Sequence, residues 1–196
     1  MDACGIPRAG EMVVTEKEQA VEAAGKLGYP VVMKVVGPVH KSDVGGVVLH
    51  IKDDSGVRKE FSRMIKIKDT HSLLIQPMLS GTELFVGANH DSKFGHMILC
   101  GLGGIFIEVF KDVSAGLGIV EREEAVSMIR SLKSFEIIKG TRGQKGVNEE
   151  AFADVIIRLS GLLQIAPEIV ELDFNPLLGN PDSVVVVDAR INIKRN

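Results

Sequence analysis

A chain of 196 residues, 45% hydrophobic and 25% charged, has the composition of an ordinary globular protein, long enough to bury a real core as one domain or as two small lobes. Its net charge of −3, single Tyr and absent Trp exclude a dedicated nucleic-acid binder, which needs excess Lys and Arg for phosphates and aromatic rings for stacking. Cys4 and Cys100 form no disulfide framework, no secretory leader opens the chain and no apolar run approaches membrane-spanning length, so we expect a cytoplasmic protein.

Met1 to Val14 opens with C-G-I-P-R-A-G-E, a turn feeding a strand with nothing ahead of it to pack against, and we expect the chain to be part of a longer protein. Thr15 and Glu18 match a T-x-x-E capping box, Ala20, Ala24 and Leu27 make a helical stripe, and Gly28 with Pro30 ends that helix. Val31 to Val36 is a β-branched run that reads as a buried strand, and a second strand is expected from Val47 to Ile51. Asp53-Asp54-Ser55 starts a helix carried by Val57, Phe61, Met64 and Ile65. Strands follow at Ser72 to Leu79, at E-L-F-V-G-A-N-H and at Met97 to Cys100, with D-S-K-F-G as a hairpin loop. Phe106 stands where the third glycine of G-x-G-x-x-G belongs, which excludes a dinucleotide fingerprint. Glu121 to Leu132 is helical by pattern, K-G-T-R-G-Q-K-G is a basic loop, and Asn148 caps a helix with the stripe Phe152, Val155, Ile156, Leu159, Leu162 and Leu163. E-I-V-E-L-D-F-N-P-L and V-V-V-V-D-A-R are expected as two closing strands. Strands run together in the middle and helices gather late, which is an α+β order.

Three sets of residues invite chemistry. Lys34 lies in a strand otherwise apolar on both faces; it either guards a strand edge or holds a phosphate oxygen as a compact point charge. The loop after it carries His40, Lys41, Ser42 and Asp43 and closes on Gly45 and Gly46, a setting suited to a polyphosphate. G-P-V-H-K-S is not a Walker A loop, because His40 replaces the glycine before the lysine. His40 is either a solvated surface residue or a neutral imidazole able to take up a phosphoryl group. Asp173, Asn175 and Asp188 either cap strand ends or supply oxygen ligands for Mg²⁺ completed by phosphates. Gln76, Met78 and Glu83 flank a strand and turn that could line an adenine and ribose pocket.

G-Y-P-V-V-M-K-V, H-K-S-D-V-G-G-V, G-L-G-G-I-F-I-E-V-F-K-D-V-S, G-T-R-G and E-L-D-F-N-P-L-L occur in this order over nearly the whole chain. Together they resemble the ATP-grasp domain of ADP-forming acyl-CoA synthetases, the acetate–CoA ligase group related to succinyl-CoA synthetase. The resemblance implies an α+β ATP-grasp fold of two α/β lobes, about 1–72 and 73–196, with the nucleotide site between them. It implies Lys34 as the phosphate lysine, Gln76, Met78 and Glu83 on the adenosine side, and Asn175 and Asp188, with Asp173, as Mg²⁺ ligands. It further implies His40 as a phosphoryl carrier, with Gly103 and Gly104 near an incoming phosphohistidine. The implied reaction is acid + CoA + ATP ⇌ acyl-CoA + ADP + phosphate. The implied cofactors are ATP or ADP and Mg²⁺, and the implied partners are CoA-binding and phosphohistidine-bearing domains. The alternative is a non-catalytic ATP-grasp domain regulating a protein lysine acyltransferase. A carboxylate–amine ligase of another ATP-grasp branch does not explain the H-K-S-D-V-G-G-V loop.

Overall fold

The computed structural model describes residues 1–38, 44–104, 107, 109, 111–141, 143 and 145–194. The chain divides into two units, Ala9–Leu79 and a larger one made of Met1–Arg8 with Ser80–Asn196.

In the smaller unit, β1 (Met12–Val14), β2 (Val31–Val36), β3 (Val47–Ile51) and β4 (Ser72–Pro77) form an antiparallel sheet in the order β1-β4-β2-β3. Two helices, α1 (Lys17–Leu27) and α2 (Asp54–Met64), cover one face. Strand side chains alternate between faces, so Val31, Met33, Val35, Leu73 and Ile75 meet Ala20, Ala24, Val57, Phe61 and Met64 in one core. Asp53 caps α2 as expected, its carboxylate accepting the Gly56 N–H at 2.8 Å. The box expected at Thr15 and Glu18 does not form. Glu16 is the cap residue and makes no side-chain cap bond, which leaves Thr15 one position too early. The Thr15 N–H instead donates to the Gln19 side chain at 3.3 Å, and Glu18 ion-pairs with Arg58 of α2.

In the larger unit, β5 (Thr82–Asp91), β6 (Gly95–Leu102), β7 (Val113–Leu117), β8 (Ile169–Gly179), β9 (Val184–Val186) and β10 (Ala189–Ile193) form an antiparallel sheet. Its order is β10-β8-β5-β6-β7, with β9 paired to β8. Among the described residues, α3 (Arg122–Arg130), α4 (Phe135–Lys139) and α5 (Glu149–Ile165) contribute to its core. The stripe read on α5 is the centre of that core: Phe152, Val155, Ile156 and Leu159 are fully buried with Leu84, Val86, Ile98 and Phe174 of the sheet. Asn148 caps α5 by accepting the Ala151 N–H at 2.9 Å. Phe152→Ala is expected to cost about 3–5 kcal/mol of stability, measured by denaturant unfolding, because the cavity has packed walls on every side.

The boundary expected near residue 72 falls later. Ser72–Pro77 is hydrogen-bonded to β2 and belongs to the smaller unit, so the division comes between Leu79 and Ser80. Met1–Arg8 joins the larger unit instead: Ile6 is in its core, and the Val186 N–H donates to the Pro7 carbonyl at 2.9 Å.

At the C-terminal end β8 runs through Pro176, with a cis Asn175–Pro176 bond. Proline is tolerated here because β8 changes partner at this point, from β10 up to Phe174 to β9 from Leu177, and no ladder donor is needed between. V-V-V-V-D-A-R is correspondingly two strands, broken at Val187 and Asp188, whose N–H groups both turn to the Pro176 carbonyl at 3.2 and 3.4 Å.

Candidate functional site

Each unit carries polar residues on the sheet face turned away from its own helices. In the smaller unit the alternation that sends Val31, Met33 and Val35 into the core sends Val32 and Lys34 to the opposite face. Lys34 stands beside Leu74 of β4 and Val47 of β3 and is only 9% exposed. Gln76, 4% exposed, lies on the same face opposite Val32, and its amide donates to Glu11 at 3.2 Å. A lysine and a glutamine buried on one sheet face are costly in a plain core. Met78 is half-buried, its N–H bonded to the Pro30 carbonyl at 2.9 Å. Gly46 is held where the loop rejoins the sheet, its carbonyl accepting the Val35 N–H at 2.8 Å. His40, Lys41, Ser42 and Asp43 lie outside the described residues.

In the larger unit Leu172 and Phe174 of β8 point into the core, so Glu171, Asp173 and Asn175 share the other face. The register of β5 against β8 slips between Leu84 and Val86, and that irregularity faces Asn175 and Pro176. The Asn175 N–H donates to the Asp188 carbonyl at 3.2 Å, which brings the two candidate ligands side by side. The Asn175 side-chain oxygen accepts the Gly104 N–H at 3.1 Å, and the Gly103 N–H donates to the Glu83 carbonyl at 2.9 Å. The Gly103-Gly104 turn is therefore stitched to β5 and β8. A Cβ on Gly103 would stand 2.5 Å from the Leu84 carbonyl oxygen, and Gly104 has a φ of +59°. Only glycine fits both demands.

Glu83 belongs to the larger unit, is exposed, and its carboxylate lies over Gly104, where an added Cβ would collide with it. Gln76 and Met78 belong to the smaller unit. Pairing register, which alternation alone does not reveal, makes this division.

Asp173 is the least settled group of the site. One of its oxygens is buried without a hydrogen-bond partner. Burial pushes its pKa up, Arg190 opposite it on β10 pulls it down, and the Glu171 and Asp188 carboxylates push it up again, with the net shift upward. An orphaned carboxylate oxygen repelled by a neighbouring carboxylate suits a cation, so the residues present fit a divalent metal. Among the described residues no three His, Cys, Asp or Glu side chains converge as a metal cage. Mg²⁺ takes one or two carboxylates and completes its shell with water and phosphate.

The raised pKa has a measurable consequence. Ionisation of Asp173 costs the ligand-free chain stability in full at pH above the raised value; the cost shrinks as pH falls below it and is gone at the ordinary carboxylate value. Asp173→Asn is expected to raise the melting temperature at neutral pH without ligand while weakening Mg²⁺-dependent binding. Thermal unfolding with and without Mg·ADP checks both signs.

Comparison with known proteins gives this chain a family. The ATP-grasp domain profile matches residues 1–193. The chain belongs to the ATP-grasp family. It is 42% identical to the beta subunit of acetate–CoA ligase [ADP-forming] I of Pyrococcus furiosus, over 95% of this chain and 85% of that one. It is 41% identical to acetate–CoA ligase [ADP-forming] II of Archaeoglobus fulgidus over 97% of its own length but spans only 28% of that protein. Among solved structures it resembles acetyl-coenzyme A synthetase 1 of Ca. Korarchaeum cryptofilum with coenzyme A and Ca-AMPCP. There the TM-score is 0.91 and the identity 36%, over 98% of this chain and 89% of that one. A second structure of that protein holds Mg-AMPPCP, with its phosphohistidine segment pointing towards the nucleotide binding site. No helix among the described residues is long and apolar enough to cross a membrane. The ATP-grasp fold expected from the sequence motifs is thus the observed one, built of helices on antiparallel sheets.

Proposed function

We propose that this chain is the nucleotide-binding, phosphoryl-transferring module of an ADP-forming acid–CoA ligase. The similarity to a beta subunit along almost its whole length is the observation that carries this reading. The chemistry of these polar residues supports it. Lys34 holds a phosphate oxygen of ATP or ADP, with Gln76 and Met78 towards the nucleoside and Gly45 and Gly46 at the end of the phosphate loop. Asn175 and Asp188, with Asp173 beside them, hold Mg²⁺, which supplies charge neutralisation on the nucleotide oxygens.

His40 receives the phosphoryl group. Its neutral imidazole nitrogen attacks the γ-phosphorus, the N–P bond forms, and the bond from phosphorus to the β-bridging oxygen breaks to release ADP. Lys34 meets the charge that gathers on the phosphoryl oxygens during transfer. The Gly103-Gly104 turn lies near the incoming phosphohistidine segment of the partner. Domains that bind coenzyme A and carry that segment complete acid + CoA + ATP ⇌ acyl-CoA + ADP + phosphate. A cytoplasmic setting accords with two free thiols at Cys4 and Cys100.

Calorimetric titration of Mg·ATP into the chain tests the reading. Saturable binding that depends on Lys34 supports it; no heat from the wild-type chain overturns it.

A further inference from the structure

We propose that Arg63 of α2 is a positioning residue that sets the stem of the H-K-S-D loop. The proposal rests on the reading of His40 as a phosphoryl acceptor. The loop leaves the sheet after β2 and rejoins it at Gly45-Gly46, just before β3. Two anchors hold this re-entry point. On the sheet side, Lys34 pairs with Val47 and the Gly46 carbonyl accepts the Val35 N–H at 2.8 Å. On the helix side, one arm of the Arg63 guanidinium donates to the Gly45 carbonyl at 3.1 Å. Its Nε donates to Glu60, one helical turn back, at 2.8 Å.

Gly45 has a φ of +64°, a left-handed turn open to glycine. A Cβ added there would lie 3.6 Å from the guanidinium, so Arg63 rests against the glycine itself. Arg58, the other arginine of α2, goes to Glu18 instead. A basic residue in the last turn of a helix is ordinarily explained by the helix dipole. That explanation requires no bond to a carbonyl 18 residues earlier in the chain.

The energetics separate positioning from stability. Arg63 is 46% exposed and its partner Glu60 18%, so the pair is largely screened and adds little to folding. The placement of a reacting loop is different, because a shift of about 1 Å costs on the order of 100-fold in rate. Arginine holds two partners in fixed geometry through its planar fork; lysine, a point charge on a flexible stem, does not fix them.

The test uses the chain assembled with its partner domains. It measures the rate of acid-labile phosphate uptake from ATP onto the chain, the Kd for Mg·ATP and the melting temperature. Arg63→Ala and Arg63→Lys are both expected to slow uptake ~10-fold, with the Kd and melting temperature close to wild type. Glu60→Gln, which loosens the same guanidinium, is expected to slow it by a smaller factor and serves if Arg63→Ala does not fold. Wild-type uptake in Arg63→Ala, or in Glu60→Gln when that variant stands in for it, overturns the inference. So does full rescue by Arg63→Lys, or a loss matched by weaker nucleotide binding. Lys34→Met, run in parallel, reports on the functional reading alone: wild-type nucleotide binding in that variant sinks the reading, whatever Arg63 does.

Discussion

Replacing Lys34 by methionine is expected to weaken Mg·ATP binding by ~10- to ~100-fold, with the fold intact. The magnitude follows from hydrogen bonds to charged groups, which contribute about 1.5–3 kcal/mol each. Methionine nearly fills the lysine's volume and suits a position only 9% exposed, beside Leu74 and Val47. The variant therefore removes a charge and leaves the packing. Isothermal titration gives the affinity, and thermal unfolding shows that β2 is undisturbed. Equal affinities for wild type and variant would remove Lys34 from the phosphate site.

Replacing His40 by asparagine, with the partner domains supplied, is expected to lower ATP-linked turnover by about three orders of magnitude or more. A nucleophile that carries a covalent intermediate has no substitute in an amide side chain. Binding of Mg·ATP should survive, since Lys34, Asn175 and Asp188 are unchanged. The same variant decides against the regulatory alternative. A non-catalytic domain would bind nucleotide and show no dependence of any turnover on His40. Turnover is followed as CoA-dependent ADP formation, and acid-labile phosphate on the chain should disappear with it.

Much of the fold was legible before any coordinates. β2 begins and ends where the β-branched run does, because a buried strand needs a largely apolar sequence, and β3 keeps the Val47 to Ile51 bounds as a half-exposed edge strand. Asp53 and Asn148 cap their helices as read, since a cap is a local hydrogen bond within four residues. The box at Thr15 failed for the complementary reason. Glu18 had a more distant partner in Arg58, which no local pattern reports. The break at Val187 and Asp188 was also hidden, because V-V-V-V-D-A-R has strand propensity throughout and only the partner exchange along β8 interrupts it.

The sequence by itself determined which residue types are available for chemistry: a lysine in an apolar strand, a histidine in a glycine-ended loop, and oxygen ligands around Asn175. It determined the alternation that puts Lys34 on one sheet face and Asp173 and Asn175 on another, because a two-residue period is a property of the chain. Tertiary structure alone decided the cross-strand partners. It set Asn175 against Asp188 and Gly104, left an oxygen of Asp173 without a donor, bonded the Glu83 carbonyl to Gly103, and brought Arg63 to Gly45. Pairing register and helix docking join residues far apart along the chain. Their energies come from packed surfaces and shared hydrogen bonds, which a local pattern does not contain.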